Sequence, residues 1–321
     1  MKKHLSFVLI SLLILCVSCK SEENKTTLWT LAWSPNGKYL ATGGNQDSLK
    51  IFDAKSFELI KIFPVEGVQL SRLKWHPFKN KLAIITQGRT FKAKILDVQE
   101  ETWTELEGLK SSFRALDWNY TGELLAVSEL EKAVSVYTVD GIFVNRFMAD
   151  PKGVAGLDWH PSKNIMVTVG DQIGIYTQHG DTINSFKART EETLLLCVEW
   201  HKSGDFFAVG DYGGLKNKVN DKDKLIQYWN VEGSRLFEAG VAKVEYRNIR
   251  WNPNGEKLAS ASDALRIWSK EGKLIATSKS TSDYLWGVDW SPDGKYIVTS
   301  SKNGKIVIWD ENLNIVRVLK P

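Results

Sequence analysis

Two stretches, LWTLAWSPNGKYLATGG (28–44) and LWGVDWSPDGKYIVTSS (285–301), almost superimpose although they stand at opposite ends of the chain. Each holds two tryptophans four residues apart: Trp29 and Trp33 in the first, Trp286 and Trp290 in the second. The second tryptophan recurs as Trp75, Trp118, Trp159, Trp200 and Trp251, so the phrase is spelled seven times at intervals of 42, 43, 41, 41, 51 and 39 residues. Two residues before each stands an aliphatic: Leu31, Leu73, Leu116, Leu157, Val198, Ile249, Val288. Period-two spacing sets both side chains on one side of a strand. A turn follows each tryptophan, as in SPNG (34–37), HPFKN (76–80) and SPDG (291–294). Proline suits its second position and the closing Gly or Asn tolerates positive φ. Three further short strands complete each unit. The third closes in phrases such as KIFD (50–53), KILD (94–97) and VIWD (307–310).

Four short strands every ~40–45 residues are the signature of a propeller blade. SPDG and IWD above all make the pattern similar to the WD40 repeat family, over residues 28–321. The resemblance implies an all-β fold: a seven-bladed β-propeller of four-stranded antiparallel blades, near 28–67, 68–110, 111–152, 153–191, 192–243, 244–280 and 281–321. The chain starts on an inner strand and ends on an outer one, so closure is expected by packing of blade 7 on blade 1, without strand exchange. Two departures stand out. The family's Gly-His pair is missing, and Asp closes the third strand only at Asp53, Asp97 and Asp310. The family's Asp-His-Ser-Trp network is therefore incomplete, and blade stability is expected to rest on stacked tryptophans and aliphatics.

The chain has 321 residues, 43% hydrophobic and 25% charged, an ordinary globular balance. A net charge of +4 gives no reason to expect nucleic acid as a partner. Residues 1–18 read as a leader: Lys2 and Lys3, then the apolar run LSFVLISLLIL (5–15), too short for a typical spanning helix. LCVSC (15–19) resembles the lipobox of bacterial lipoproteins, with Ser18 before the acceptor Cys19, although Cys16 stands where that family usually has leucine. The resemblance implies lipidation at Cys19 and a membrane anchor, with residues 19–27 as a flexible tether. Lys20 is not the aspartate of inner-membrane retention, and Glu22-Glu23 is similar to a surface-export tag. The expected place is a bacterial outer membrane, facing the periplasm or the surface. Only Cys197 then remains in the domain, so no internal disulfide forms.

An enzyme of this fold needs convergent ligands at the central funnel. His76, His160 and His201 each follow a repeat tryptophan, at the end opposite the expected binding face, and read as solvated turn residues; His179 lies in another turn. VGDYGG (209–214) is a glycine-bearing loop that opens no helix and so signals no nucleotide site. One residue before each repeat tryptophan the chain has Ala32, Lys74, Asp117, Asp158, Glu199, Arg250 and Asp289, which line the channel. The acids could ring a cation, or Lys74 and Arg250 could offset them.

Four residues before each tryptophan the row is Trp29, Ser71, Arg114, Ala155, Leu196, Arg247, Trp286. In WD-repeat propellers this position rims the upper mouth, where peptides and proteins dock. Blades 6, 7, 1, 2 and 3 then present Arg247, Trp286, Trp29, Ser71 and Arg114 as one arc, with Tyr246 and Tyr284 beside it. Trp, Tyr and Arg dominate interface hot spots; the alternative is that Trp29 and Trp286 merely stack across the seam. The blade 5 insert YGGLKNKVNDKDK (212–224) belongs on the same rim. The expected function is non-catalytic: a monomeric, cofactor-free scaffold that binds a protein or peptide through its upper face. The alternative is an envelope enzyme, lactonase-like, or a carbohydrate-binding propeller that uses the same funnel. For the anchor the outcome is concrete: in a bacterial host, Cys19→Ala should abolish the diacylglyceryl mass on the mature chain and release it from membranes. A wild-type chain that carries no lipid overturns the expectation.

Overall fold

The inner strands end where the repeat tryptophans stand. The computed structural model describes residues 26–65, 68–88, 91–110, 113–129, 132–190, 192–214, 225–279 and 283–320. Cys19, the leader and most of the blade 5 insert lie outside the described residues. The described strands form seven four-stranded antiparallel sheets, each from four consecutive strands, arranged as a seven-bladed β-propeller. The inner strands are Leu28–Trp33, Val68–Trp75, Phe113–Trp118, Gly156–Trp159, Thr193–Trp200, Asn248–Trp251 and Leu285–Trp290. The turn after blade 1's inner strand reads as its residues require. Gly37 takes φ 68°, its N–H donates to Ser34 O (2.9 Å), and the Ser34 hydroxyl accepts from Tyr39 N (2.9 Å).

Each blade buries its apolar row on the blade before it. Trp75 shares a core with Ala41, Ile51 and Phe63 of blade 1. Trp33 shares one with Val298, Ile306 and Ile308 of blade 7, which closes the ring. Removing a tryptophan from such a site costs about 3–5 kcal/mol. Two polar bonds reinforce the packing. The innermost strand is a sheet edge with an unpaired N–H, and the acid before the preceding blade's tryptophan accepts from it. Asp117 Oδ2 takes Trp159 N (2.9 Å), Asp158 Oδ2 takes Trp200 N (2.7 Å), Glu199 Oε2 takes Trp251 N (2.9 Å) and Asp289 Oδ2 takes Trp33 N (2.8 Å). The indoles of Trp159 and Trp251 also donate to the Asp117 and Glu199 carbonyls (3.1 and 3.4 Å), and where that position is Ala32, Lys74 or Arg250 the indole bond stands alone. Trp75, Trp118 and Trp290 donate through Nε1 to the backbone carbonyl of that same residue, at 3.1, 3.3 and 3.1 Å. Each of the seven seams thus has at least one such bond.

Among the described residues, no strand is exchanged at the closure. Blade 7 pairs only its own four strands, and Thr26 and Thr27 do not extend its sheet. Thr27 Oγ1 donates to Lys302 O (2.9 Å) and Arg317 Nη1 donates to Ser56 O (2.7 Å), both across the seam.

Three expectations need correction. Stability does not rest on stacking alone, because third-strand indoles find partners within their blades. Trp268 Nε1 donates to Ser260 Oγ (2.9 Å), Trp309 Nε1 to Thr299 Oγ1 (2.9 Å) and Trp229 Nε1 to Gln227 Oε1 (3.1 Å). In blades 6 and 7 the third-strand indole thus meets a Ser or Thr of the second strand without a histidine. The stretch 209–214 is not a loop but the end of a strand, Phe206–Gly214. The turn histidines are not solvated. His76, His160 and His201 are buried and reach the next blade's turn, with Nε2 at 3.0, 3.1 and 2.9 Å from the carbonyls of Gly122, Gly204 and Gly255. Nδ1 of His76 accepts from Phe78 N and Lys79 N, which puts the proton on Nε2 and makes that nitrogen the donor. The glycines have to be glycine. Gly122 and Gly204 take positive φ, and a Cβ on either would meet the imidazole at 2.5 Å.

The seams can be tested in two ways. Asp289→Ala strands the Trp33 N–H and removes a partner of Arg250, so denaturant unfolding should show a loss of about 2 kcal/mol or more, and Asp289→Asn a smaller one. Burial holds the His76 and His160 pKa values below the ordinary 6.5. The unfolded chain therefore takes up these protons first, and stability is lost as pH falls below about 6.5. In the His76→Asn/His160→Asn variant, which copies the residue at Asn119 and Asn252, the pH dependence of unfolding between 7 and 5 should be shallower than in the wild type. Equal slopes would show that these imidazoles do not titrate on unfolding.

Candidate functional site at the upper mouth

Strict alternation would put the residue four before each repeat tryptophan on the tryptophan's own side, inside the seam. The inner strands break alternation at that residue. Leu28 pairs with Gly44 and Thr30 with Gly43, which leaves Trp29 as the extra residue of a bulge. Trp286 lies likewise between Leu285 and Gly287, Ser71 between Leu70 and Arg72, and Leu196 between Leu195 and Cys197. In blade 3 the register slips across the segment that holds Arg114. A bulge re-aims a side chain, here out of the seam and into the mouth. Ala155 and Arg247 precede the inner strands of blades 4 and 6. All seven residues of the row line one cavity of about 350 Å³.

Its aromatic side is built from the closing seam. Trp29 and Trp286 have ring centroids 6.5 Å apart at an interplanar angle of 34°. The Arg247 guanidinium lies 3.8 Å from the Trp286 ring centroid and pairs with Glu245. Asn248 Nδ2 donates to Trp286 O (2.9 Å), which steadies that strand end. The facing wall, Gly153, Ala155, Leu194 and Leu196, is apolar, and Leu194 is 38% exposed. Two expected rim residues are placed elsewhere. Tyr246 is a correction: it is fully buried, packs edge-on to Trp268 and accepts from Val241 N and Ala242 N, so it offers a partner no surface. Tyr284 is exposed, with the Lys302 ammonium 5.8 Å from its ring centroid, but does not line the cavity.

Sequence reasoning missed the basic residues at the throat. Arg72, one residue past the bulge, lines both the mouth and the narrower channel below it. Its Nη1 donates to Ser71 O (3.1 Å). Burial first, and then the charges of Arg114, Arg247 and Arg250, bring its pKa down to about 10. Lys152 lines the opposite wall and pairs with Asp171 and Glu192 (both 2.9 Å). The signal was legible in principle, since Arg72 lies two residues before the channel residue Lys74 on the same side of the strand.

Deeper in the channel the charged ring is internally matched. Lys74 Nζ lies 2.9 Å from Asp117 and 3.7 Å from Asp158. Arg250 lies 3.2 Å from Glu199 and 3.4 Å from Asp289. Burial, followed by the adjacent Asp117, lifts Asp158 well above the usual carboxylate range. Burial likewise raises Glu199 and Asp289. Among the described residues, no three His, Cys, Asp or Glu side chains are grouped as a metal site. The turn histidines are committed at the opposite end of the channel, so they do not meet the mouth.

Comparison with known proteins agrees with this architecture. The family model of the WD domain, G-beta repeat, matches residues 272–310, and that of the anaphase-promoting complex subunit 4 WD40 domain matches residues 12–78. The chain is 23% identical to the intraflagellar transport protein 80 homolog of Mus musculus over 77% of its length, 20% identical to the retinoblastoma-binding-like protein E of Dictyostelium discoideum over 92%, and 24% identical to the echinoderm microtubule-associated protein-like 4 of Homo sapiens over 54%. It spans 31%, 58% and 18% of those proteins respectively. The chain thus matches WD40 models in its first and last blades, and its similarity to these proteins extends over more than half of its length in each case.

Proposed function

We propose that this propeller is a non-catalytic scaffold that takes a protein or peptide partner into its upper mouth. A lipid on Cys19 holds it at a bacterial outer membrane, on the periplasmic or surface side. The observation that carries the binding reading is the bulge row. Four inner strands each spend an irregularity at the same position, and the side chains they re-aim meet in one cavity with the Trp29, Trp286 and Arg247 stack. Bulges are designed features next to functional sites, and paired aromatics with a stacked guanidinium have the chemistry of a hot spot. The relatives support a scaffold reading, because the names they carry are those of a transport protein, a binding protein and a microtubule-associated protein. The anchor reading rests on LCVSC and the apolar run before it.

The test is in-cell crosslinking followed by identification of captured chains, comparing wild type with Trp29→Ala/Trp286→Ala. Loss of two such anchors should weaken a partner by about thirtyfold or more, with thermal unfolding used to confirm that the variant folds. A folded variant that keeps every crosslinked partner overturns the mouth as the binding site. Turnover of lactone or ester substrates that disappears with Asp117→Asn would replace the scaffold by an enzyme.

A further inference from the structure

We propose that the mouth selects an acidic peptide: an Asp or Glu side chain directed down the funnel toward Arg72 and Arg114, with an adjoining apolar side chain held between Trp29, Trp286 and Leu196. This rests on the reading of the mouth as a partner site and adds the partner's chemistry. Four cations face the cavity, Arg72, Arg114, Lys152 and Arg247. Two are already matched, Arg247 by Glu245 and Lys152 by Asp171 and Glu192. Among the described residues, Arg72 and Arg114 have no carboxylate partner. Arg72 is the informative one. It sits half-buried at the throat beside three like charges, and one of its nitrogens is engaged by the Ser71 carbonyl. A desolvated guanidinium without a counter-ion is an unfavourable arrangement that an incoming carboxylate relieves, through two parallel N–H···O bonds.

The rest of the mouth argues against a small free anion. A cavity of about 350 Å³ with an apolar wall at Ala155, Leu194 and Leu196, facing two indoles, has room for a side chain beside the carboxylate. A basic peptide meets like charge.

A random peptide library, displayed on phage and selected on the full-length chain in detergent, reads this out directly. The expected result is enrichment of peptides with Asp or Glu next to an apolar residue. Their synthetic forms should bind at least about tenfold more weakly when the acid is replaced by Gln, when Arg72→Gln is introduced, or when salt is raised. Arg114→Gln, at an exposed position where folding is not at risk, should give a smaller loss in the same direction. Peptides that need Trp29 and Trp286 but carry no acid, or that bind equally well to both arginine variants, overturn this proposal while leaving the mouth as a partner site. Phosphoserine peptides that outbind their Glu counterparts overturn it in favour of a phosphate reader. Peptides indifferent to both the tryptophans and the arginines overturn the proposal and the partner site together.

Discussion

The whole ring depends on one repeated contact, the seating of each inner-strand tryptophan on the blade before it. A single four-stranded blade has two faces to bury and cannot bury either alone. Each of the seven tryptophans covers one face of its predecessor, and the seam it makes is closed beside the channel by a bond between the same two sequence positions. Two kinds of bond do this, and the seams at Asp117 and Glu199 carry both. An acid captures the next strand's N–H at Asp117, Asp158, Glu199 and Asp289. At Ala32, Lys74 and Arg250 an indole captures a carbonyl. The bond that Trp33 N donates to Asp289 is of the same kind as those between the other blades, so the seam of blade 7 with blade 1 is held by the same chemistry as the rest.

This constraint divides the channel into zones with different work. The ring of charges is occupied by holding blades together, and Lys74 and Arg250 neutralise the carboxylates that do it. The turn histidines tie the lower end, each protonated on the nitrogen that faces its neighbour's glycine. What remains uncommitted is the upper mouth. There the bulges carry Trp29, Ser71, Leu196 and Trp286 away from the seams, and Arg72 faces the throat without a carboxylate partner among the described residues.

Residues with the same repeat position did not all share one fate. Trp33 and Trp29 belong to one six-residue strand, yet the first is core and the second lines a cavity. Tyr246 sits beside Arg247 in sequence and is wholly buried, because its hydroxyl is drawn into the 241–242 backbone. The histidines looked like solvent-facing turn residues because no spacing in the chain announces a partner some 44 to 54 residues away.

The period-two rows, the turns that close on Gly or Asn and the seven recurring tryptophans were enough to establish blade number, strand order and the packing that closes the ring. These are local signals repeated in register, and repetition multiplies their weight. Bulges, tautomers and ion pairs were not legible, because each depends on which atoms of distant blades arrive at contact distance. Alternation read along the strand would have hidden Trp29 and Trp286 in the seam. The folded strand places them at the mouth, since a residue without a cross-strand partner is free to turn toward the open side.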